Sequence, residues 1–532
     1  MTKFWKPLRV IVAIVVLILM SMIFLDFRHH FSSIWYQTIT WTQFVPSIRK
    51  FLIAAGIISS GFIFMLILTL LFGRIYCSAI CPFGIIQDVI SYISKKFKKK
   101  KFRYKYAPPK NIIRYGFLGL AIIPLFFGYF LFVGLLDPYS NFGRIFSDIG
   151  QPLYMSANNL SAGLLMKMKI YSLSPEKITA INFGTIAFPV FMLGLIIFLA
   201  RKWGRLYCNT VCPVGTLLGL VSRISIFKIK INSDSCIKCA KCAASCKSQC
   251  INLKDLTVDT SRCVGCFNCM QSCDKNSIGY RFSWTKKAEK SQVKEQVTSE
   301  SSSDKESSSD KLTKRQFITA GIGIGGLLVG LPRTSQAEEA LDQVPMVKEH
   351  PCAPPGAKSL EHFHSACTAC HLCVSACPNK ALRPSFTAYG LEGFLQPFVN
   401  PDAGYCNFDC VTCGEICPTG AILPLTVEEK HLTQIGIVKF EIQNCVVYTD
   451  ETLCGACSEH CPTKAVELVE YKDDLVIPEI HPDLCIGCGA CEYACPIRPN
   501  KAIYINGNTV QVLAKAPEIN QLEDKELEEF PF

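Results

Sequence analysis

The 532-residue sequence contains no P-loop, no Gly-x-Gly-x-x-Gly set between a strand and a helix, and no flavin or molybdenum signature. Terminal substrate chemistry is therefore not expected within this chain. Charge is also scarce: 18% of residues are Asp, Glu, Lys or Arg against 49% hydrophobic, with a mean hydropathy of +0.26. That balance is unusual for a soluble protein and points to membrane spans. Histidine is missing where a b-type haem would need it. None of the nine histidines falls in the middle of an apolar run; His29 and His30 sit just past the first. The net charge of +12 is divided, with 44 Lys/Arg against 19 Asp/Glu in residues 1–349 and 11 against 24 in residues 350–532. Halves of opposite sign argue for two environments and against nucleic-acid binding.

Cysteine is the excess, at thirty residues. Most recur as C-x-x-C-x-x-C-x-x-x-C, which favours metal clusters over a disulfide scaffold.

Four apolar runs, Leu8–Phe27, Phe51–Phe72, Ile113–Leu136 and Thr179–Ala200, approach the roughly 20 residues needed to span a bilayer. Basic residues flank one side of them: Lys3, Lys6 and Arg9, ten Lys/Arg from Lys95 to Arg114, and Arg201, Lys202 and Arg205. By the positive-inside rule these are cytoplasmic, leaving 28–50 and 137–178 outside. The first run reads as an uncleaved anchor, since no small-x-small site follows it.

A repeat ends the second and fourth runs: Gly73-Arg74-Ile75-Tyr76-Cys77-x3-Cys81-Pro82 and Gly204-Arg205-Leu206-Tyr207-Cys208-x3-Cys212-Pro213. Cysteines at i and i+4 share a helical face. Cys77, Cys81, Cys208 and Cys212 are thus candidate ligands of one thiolate-bound metal centre; a redox disulfide and two inert pairs are the alternatives. Asp88 and Asp137, near span ends, are either acceptors of quinol protons or ordinary helix-end residues.

Next come Cys236-x2-Cys239-x2-Cys242-x3-Cys246 and Cys263-x2-Cys266-x2-Cys269-x3-Cys273, the bacterial ferredoxin pattern. In it the fourth cysteine of each run ligates the other cluster. One [4Fe–4S] centre is expected on Cys236, Cys239, Cys242 and Cys273, and another on Cys263, Cys266, Cys269 and Cys246. Cys250 is surplus.

Residues 286–313 are Lys-, Glu- and Ser-rich and read as a flexible linker. Residues 314–337, opening with Lys314-Arg315-Gln316-Phe317, hold an apolar segment short for an anchor but normal for an export signal. Four further runs follow: Cys367, Cys370, Cys373, Cys377; Cys406, Cys410, Cys413, Cys417; Cys445, Cys454, Cys457, Cys461; and Cys485, Cys488, Cys491, Cys495. Each ends in Cys-Pro, and together they predict four more [4Fe–4S] centres. Spacing leaves open whether they exchange fourth cysteines in nested or sequential order. Cys352 has no assigned role.

The paired Cys-x3-Cys-Pro repeats followed by a ferredoxin module resemble the NapH-type membrane quinol dehydrogenase subunit. The export-like segment, Ala353-Pro354-Pro355-Gly356-Ala357 and the four later runs resemble its NapG-type partner, an exported four-cluster ferredoxin. The double resemblance implies a fusion that passes electrons from menaquinol or ubiquinol to a periplasmic reductase or c-type cytochrome.

The expected architecture is a multi-domain protein of the bacterial inner membrane. It has a four-span α-helical bundle (1–222), an export-like segment, and α+β ferredoxin-like domains on both sides, two-cluster at 223–285 and four-cluster at 338–532. About six [4Fe–4S] clusters are its cofactors and quinone its redox substrate. A redox sensor or metalloenzyme maturation factor, and a wire from cytosolic ferredoxin to an outer acceptor, are the alternatives.

Overall fold

The computed structural model describes residues 4–26, 30–53, 60–97, 104–176, 178, 183–282, 343–472 and 474–516. The expected linker at 286–313 and the export-like segment at 314–337 lie outside these residues.

Two described helices are long and apolar enough to cross a membrane, Trp5–Leu25 and Gly184–Trp203, with mean hydropathies of 3.0 and 2.0. They coincide with the first and fourth expected spans. Ile11, Ile14, Val15 and Ile18 on the first are half or more exposed, a surface suited to lipid. The second expected span contains the shorter helix Gly61–Phe72, preceded by a separate helix Phe44–Ile53. The third, read from sequence as one run over 113–136, is corrected to two helices, Asn111–Phe126 and Leu131–Leu136. Pro124 removes a backbone donor in the last turn of the first, and Gly128 adopts φ +81°, which turns the chain. Beyond it, Pro138–Ile145 is buried along its whole length and continues through a π-helical turn, Phe146–Gly150, into Gln151–Lys167.

The helical bundle and both ferredoxin regions belong to one compact unit. In the first ferredoxin region, Phe227–Ile231 pairs antiparallel with Ile278–Phe282, closing a sheet around two cysteine runs. Thr433–Phe440 and Ile503–Leu513 do the same around the third and fourth later runs. The Trp5–Leu25 helix touches both ferredoxin regions. At one end Trp5 packs on Phe267 and Tyr280 of the first ferredoxin region. At the other, Phe24 packs on Tyr139 and Phe142, within the core that also holds Cys370 and Leu372. Twenty-one residues at 1.5 Å each make about 30 Å, a hydrocarbon thickness, between the two attachments.

Candidate metal centres

The Cys-Pro dipeptide of each repeat starts a helix. Cys81 and Cys212 stand in extended N-cap conformation, with Pro82 and Pro213 in the first turns of Pro82–Lys96 and Pro213–Val221. Proline suits that position because its missing N–H would have no intrahelical partner. Gly215 N donates to Cys212 Sγ at 3.3 Å, so this sulfur is itself a helix cap.

The two repeats interlock. Arg74 of the first donates to the Cys208 carbonyl at 3.0 Å, and Arg205 of the second donates to the Cys77 carbonyl at 2.6 Å. Gly84 and Gly215 make room for this crossing. A Cβ on Gly84 would lie 2.3 Å from the Cys77 carbonyl oxygen and 2.7 Å from Arg205, and one on Gly215 2.2 Å from the Cys208 carbonyl oxygen and 2.9 Å from Arg74. Gln87 Nε2 approaches Cys208 Sγ at 3.2 Å. Cys77, Cys81, Cys208 and Cys212 are all buried. Asp88 anchors the site: it is buried and ion-paired to Arg205 at 2.9 Å, to Lys247 at 3.2 Å and to Arg9. It thus acts as a structural counter-ion in this arrangement. Asp137 caps Pro138–Ile145, accepting from Ser140 N at 2.9 Å and Ser140 Oγ at 2.7 Å. The arginines were legible in the Gly-Arg-x-Tyr-Cys repeat, but their crossed partners were not.

The ferredoxin cysteines gather in fours. Cys236, Cys239, Cys242 and Cys273 line one cavity. Cys269 interacts with Cys266, Cys263 and Cys246, and also with Cys242. The first group joins three cysteines of one run with the fourth of the next. In the later half, Cys377 joins Cys406, Cys410 and Cys413 around one cavity, and Cys445, Cys454, Cys457 and Cys495 line another. Cys417 neighbours Cys367, Cys370 and Cys373, and Cys461 neighbours Cys485, Cys488 and Cys491. The arrangement is sequential, first run with second and third with fourth.

Local backbone explains the regular runs. In four of them both x2 turns contain a residue in left-handed conformation: Lys238 and Ala240, Gly265 and Phe267, Ala369 and His371, Gly487 and Gly489. Five of these eight carry side chains that disfavour positive φ, so the turns wrap each cavity at some local cost. The two stretched runs instead have negative φ at Val411 and Gly455.

Among the described residues, no three His, Cys, Asp or Glu side chains converge on a single-ion site. Thiols set around a cavity fit a cluster better than one zinc ion. Outside the helical bundle, burial pushes the thiols up, Cys406 to about 11 and Cys457 and Cys488 to about 12, so metal binding there would displace protons. The two orphan cysteines are also placed. Cys250 Sγ lies 3.6 Å from Cys246 Sγ, and Cys352 is buried beneath the Gly436 backbone.

The quartets follow one another. Cys266 packs against the core containing Cys77, Cys81, Cys212 and Cys370. Cys406 N donates to the Cys488 carbonyl at 2.9 Å, joining the two later pairs.

Family comparisons agree with this chemistry. A model described as a 4Fe-4S binding domain matches residues 54–100 and 185–232, which hold the two repeats. A 4Fe-4S dicluster domain matches 452–498, and a 4Fe-4S binding domain matches 361–383. The methylamine utilization ferredoxin-type protein MauM of Methylorubrum extorquens is 33% identical over 34% of this chain and 84% of its own length. Ferredoxin-type protein NapG of Escherichia coli is 32% identical over 27% of this chain and 64% of its own. Ferredoxin-type protein NapF of the same organism is 28% identical over 29% and 86%. No solved structure matches. Through about a third of its length, and through cysteine quartets suited to iron–sulfur clusters, the chain belongs to the family of ferredoxin-type electron-transfer proteins that includes MauM.

Proposed function

We propose that this chain is an inner-membrane electron conductor that oxidises quinol and delivers electrons to a periplasmic reductase or c-type cytochrome. It would combine a NapH-like membrane half with a NapG-like outer half. Six ferredoxin quartets would hold [4Fe–4S] clusters, and Cys77, Cys81, Cys208 and Cys212 a further thiolate centre. When bound, such clusters supply one-electron exchange. The observation that carries the reading is the succession of quartets, running from Cys236 through the repeat cysteines and Cys370 to Cys406 and Cys488 along one compact unit. The protein's own part is to hold those sulfurs together around their cavities.

The test is reduction of purified, anaerobically prepared protein by a quinol analogue, followed by paramagnetic resonance. Cluster signals should develop with quinol alone. Signals obtained only with dithionite would refute quinol oxidation.

One observation favours a second reading, a wire fed by a cytosolic reductant. Cys239 is exposed, and Lys95, Lys105, Lys241 and Lys254 border an adjoining open cleft. That basic rim suits an acidic soluble donor. Reduction by such a donor but not by quinol would select it.

A further inference from the structure

A cavity of about 430 Å³ lies between the helical bundle and the first outer ferredoxin module. Its bundle wall is formed by Asp148 and Gln151, then Pro152 and Met155 on the Gln151–Lys167 helix, and Ile186 on Gly184–Trp203. Its ferredoxin wall includes Val374, Lys380, Leu382 and Phe386. The volume is within the range of small-molecule sites, and the lining mixes apolar side chains with polar ones, Arg383, Asn400 and Asp402 among them.

The polar groups are held in place from both sides. Gln151 Nε2 and Lys380 Nζ donate to the same Ser375 carbonyl, at 2.8 Å and 3.0 Å. Asp148 is oriented by His371 Nδ1, 2.9 Å from both of its oxygens, while His371 Nε2 faces the Leu395 carbonyl at 2.9 Å. The two helices of the bundle wall carry exposed apolar side chains elsewhere on their surfaces, Leu153, Tyr154 and Leu160 on one and Val190 and Phe191 on the other. A ligand with a small polar ring and a long apolar tail fits a cavity so bordered.

Leu382 supplies the redox connection. It lines this cavity and also the cavity of Cys377, Cys406, Cys410 and Cys413, so one side chain stands between the two spaces.

We infer that this interfacial cavity binds the ring of a membrane-soluble para-hydroquinone, with Asp148, Gln151 and Lys380 as its polar contacts and Leu382 separating it from the Cys377 quartet. The inference rests on the quinol reading and gives that reaction a place, on the outer side of the bundle. The His371–Asp148 pair is a positioning device: it fixes the carboxylate that faces the ring hydroxyl.

The test uses the full chain in detergent and the fluorescent quinol-site probe 2-heptyl-4-hydroxyquinoline N-oxide, titrated by quenching. Ile186→Trp fills the cavity from the Gly184–Trp203 helix. Ile197→Trp, on the same helix and 43% exposed, is the control. The expected result is saturable binding to wild type and Ile197→Trp, and binding weakened about tenfold or more in Ile186→Trp. Iron content and dithionite-reduced spectra should be unchanged in all three. Asp148→Asn should weaken the probe without altering iron content. If Ile186→Trp binds like wild type while quinol still reduces the clusters, the site is overturned and quinol oxidation stands. If wild type neither binds the probe nor is reduced by quinol, both fall.

Discussion

Asp88→Asn tests the anchoring of the repeat cysteines. The carboxylate, 9% exposed, holds Arg205, Lys247 and Arg9 together. Arg205 is wholly buried, and removing its counter-ion strands a guanidinium with no path to water. Breaking a buried pair from one side costs about 3–5 kcal/mol. The same guanidinium donates to the Cys77 carbonyl, so the damage should reach the four-cysteine site. The assay is thermal loss of visible iron–sulfur absorption from the purified full chain, with iron measured before heating. The variant should bleach at a clearly lower temperature. Asp88→Leu combined with Arg205→Met removes both charges and should recover part of the loss, about 1–3 kcal/mol of coupling. Recovery stays partial because Arg9 and Lys247 remain unpaired. A wild-type midpoint for Asp88→Asn, or strict additivity in the double variant, would refute this account.

Cys417→Ser should abolish the centre of Cys367, Cys370 and Cys373, although it lies 40 or more residues away, leaving that of Cys406 and Cys410 in place; site-selective isotope or paramagnetic spectra distinguish the two. Gly436→Ala should destabilise the module of the third and fourth later runs by about 1–3 kcal/mol, because its Cβ would sit 2.6 Å from the Asn506 carbonyl and 2.7 Å from Cys352 Sγ; a chemical denaturation curve with unchanged midpoint would contradict this. Removing iron by oxidation and chelation should open residues 440–500 to protease, since the core there is built largely around Cys445, Cys485, Cys491 and Cys495. Protease added to intact spheroplasts should remove residues beyond about 340 and spare 223–282, provided the two ferredoxin regions lie on opposite sides.

The cysteine runs were legible because their chemistry is local: x2 spacing is enough to bring three sulfurs around one cavity. Partner choice among the four later runs was not. Cys377 and Cys417 depart from their own runs in directions set by how two runs pack, and spacing contains no term for that. The first and fourth apolar runs each contain a long helix, the fourth continuing through Pro189 without a turn. The run 113–136 looked equally continuous, yet Pro124 and Gly128, both visible, turn the chain inside it. The crossed arginines had a sequence signal in their repetition. Pairing Asp148 with His371 had none, since 223 residues separate them and neither belongs to a repeated pattern.

Reciprocal capping of Cys77 and Cys208 carries a lesson for biogenesis. While the nascent polypeptide still ends before residue 204, Arg74 has no acceptor from the second copy and half the sulfur ligands do not yet exist. Any metal that the four repeat cysteines would hold together could be loaded only after translation passes the later repeat, so the site would serve as a checkpoint on completion of the bundle.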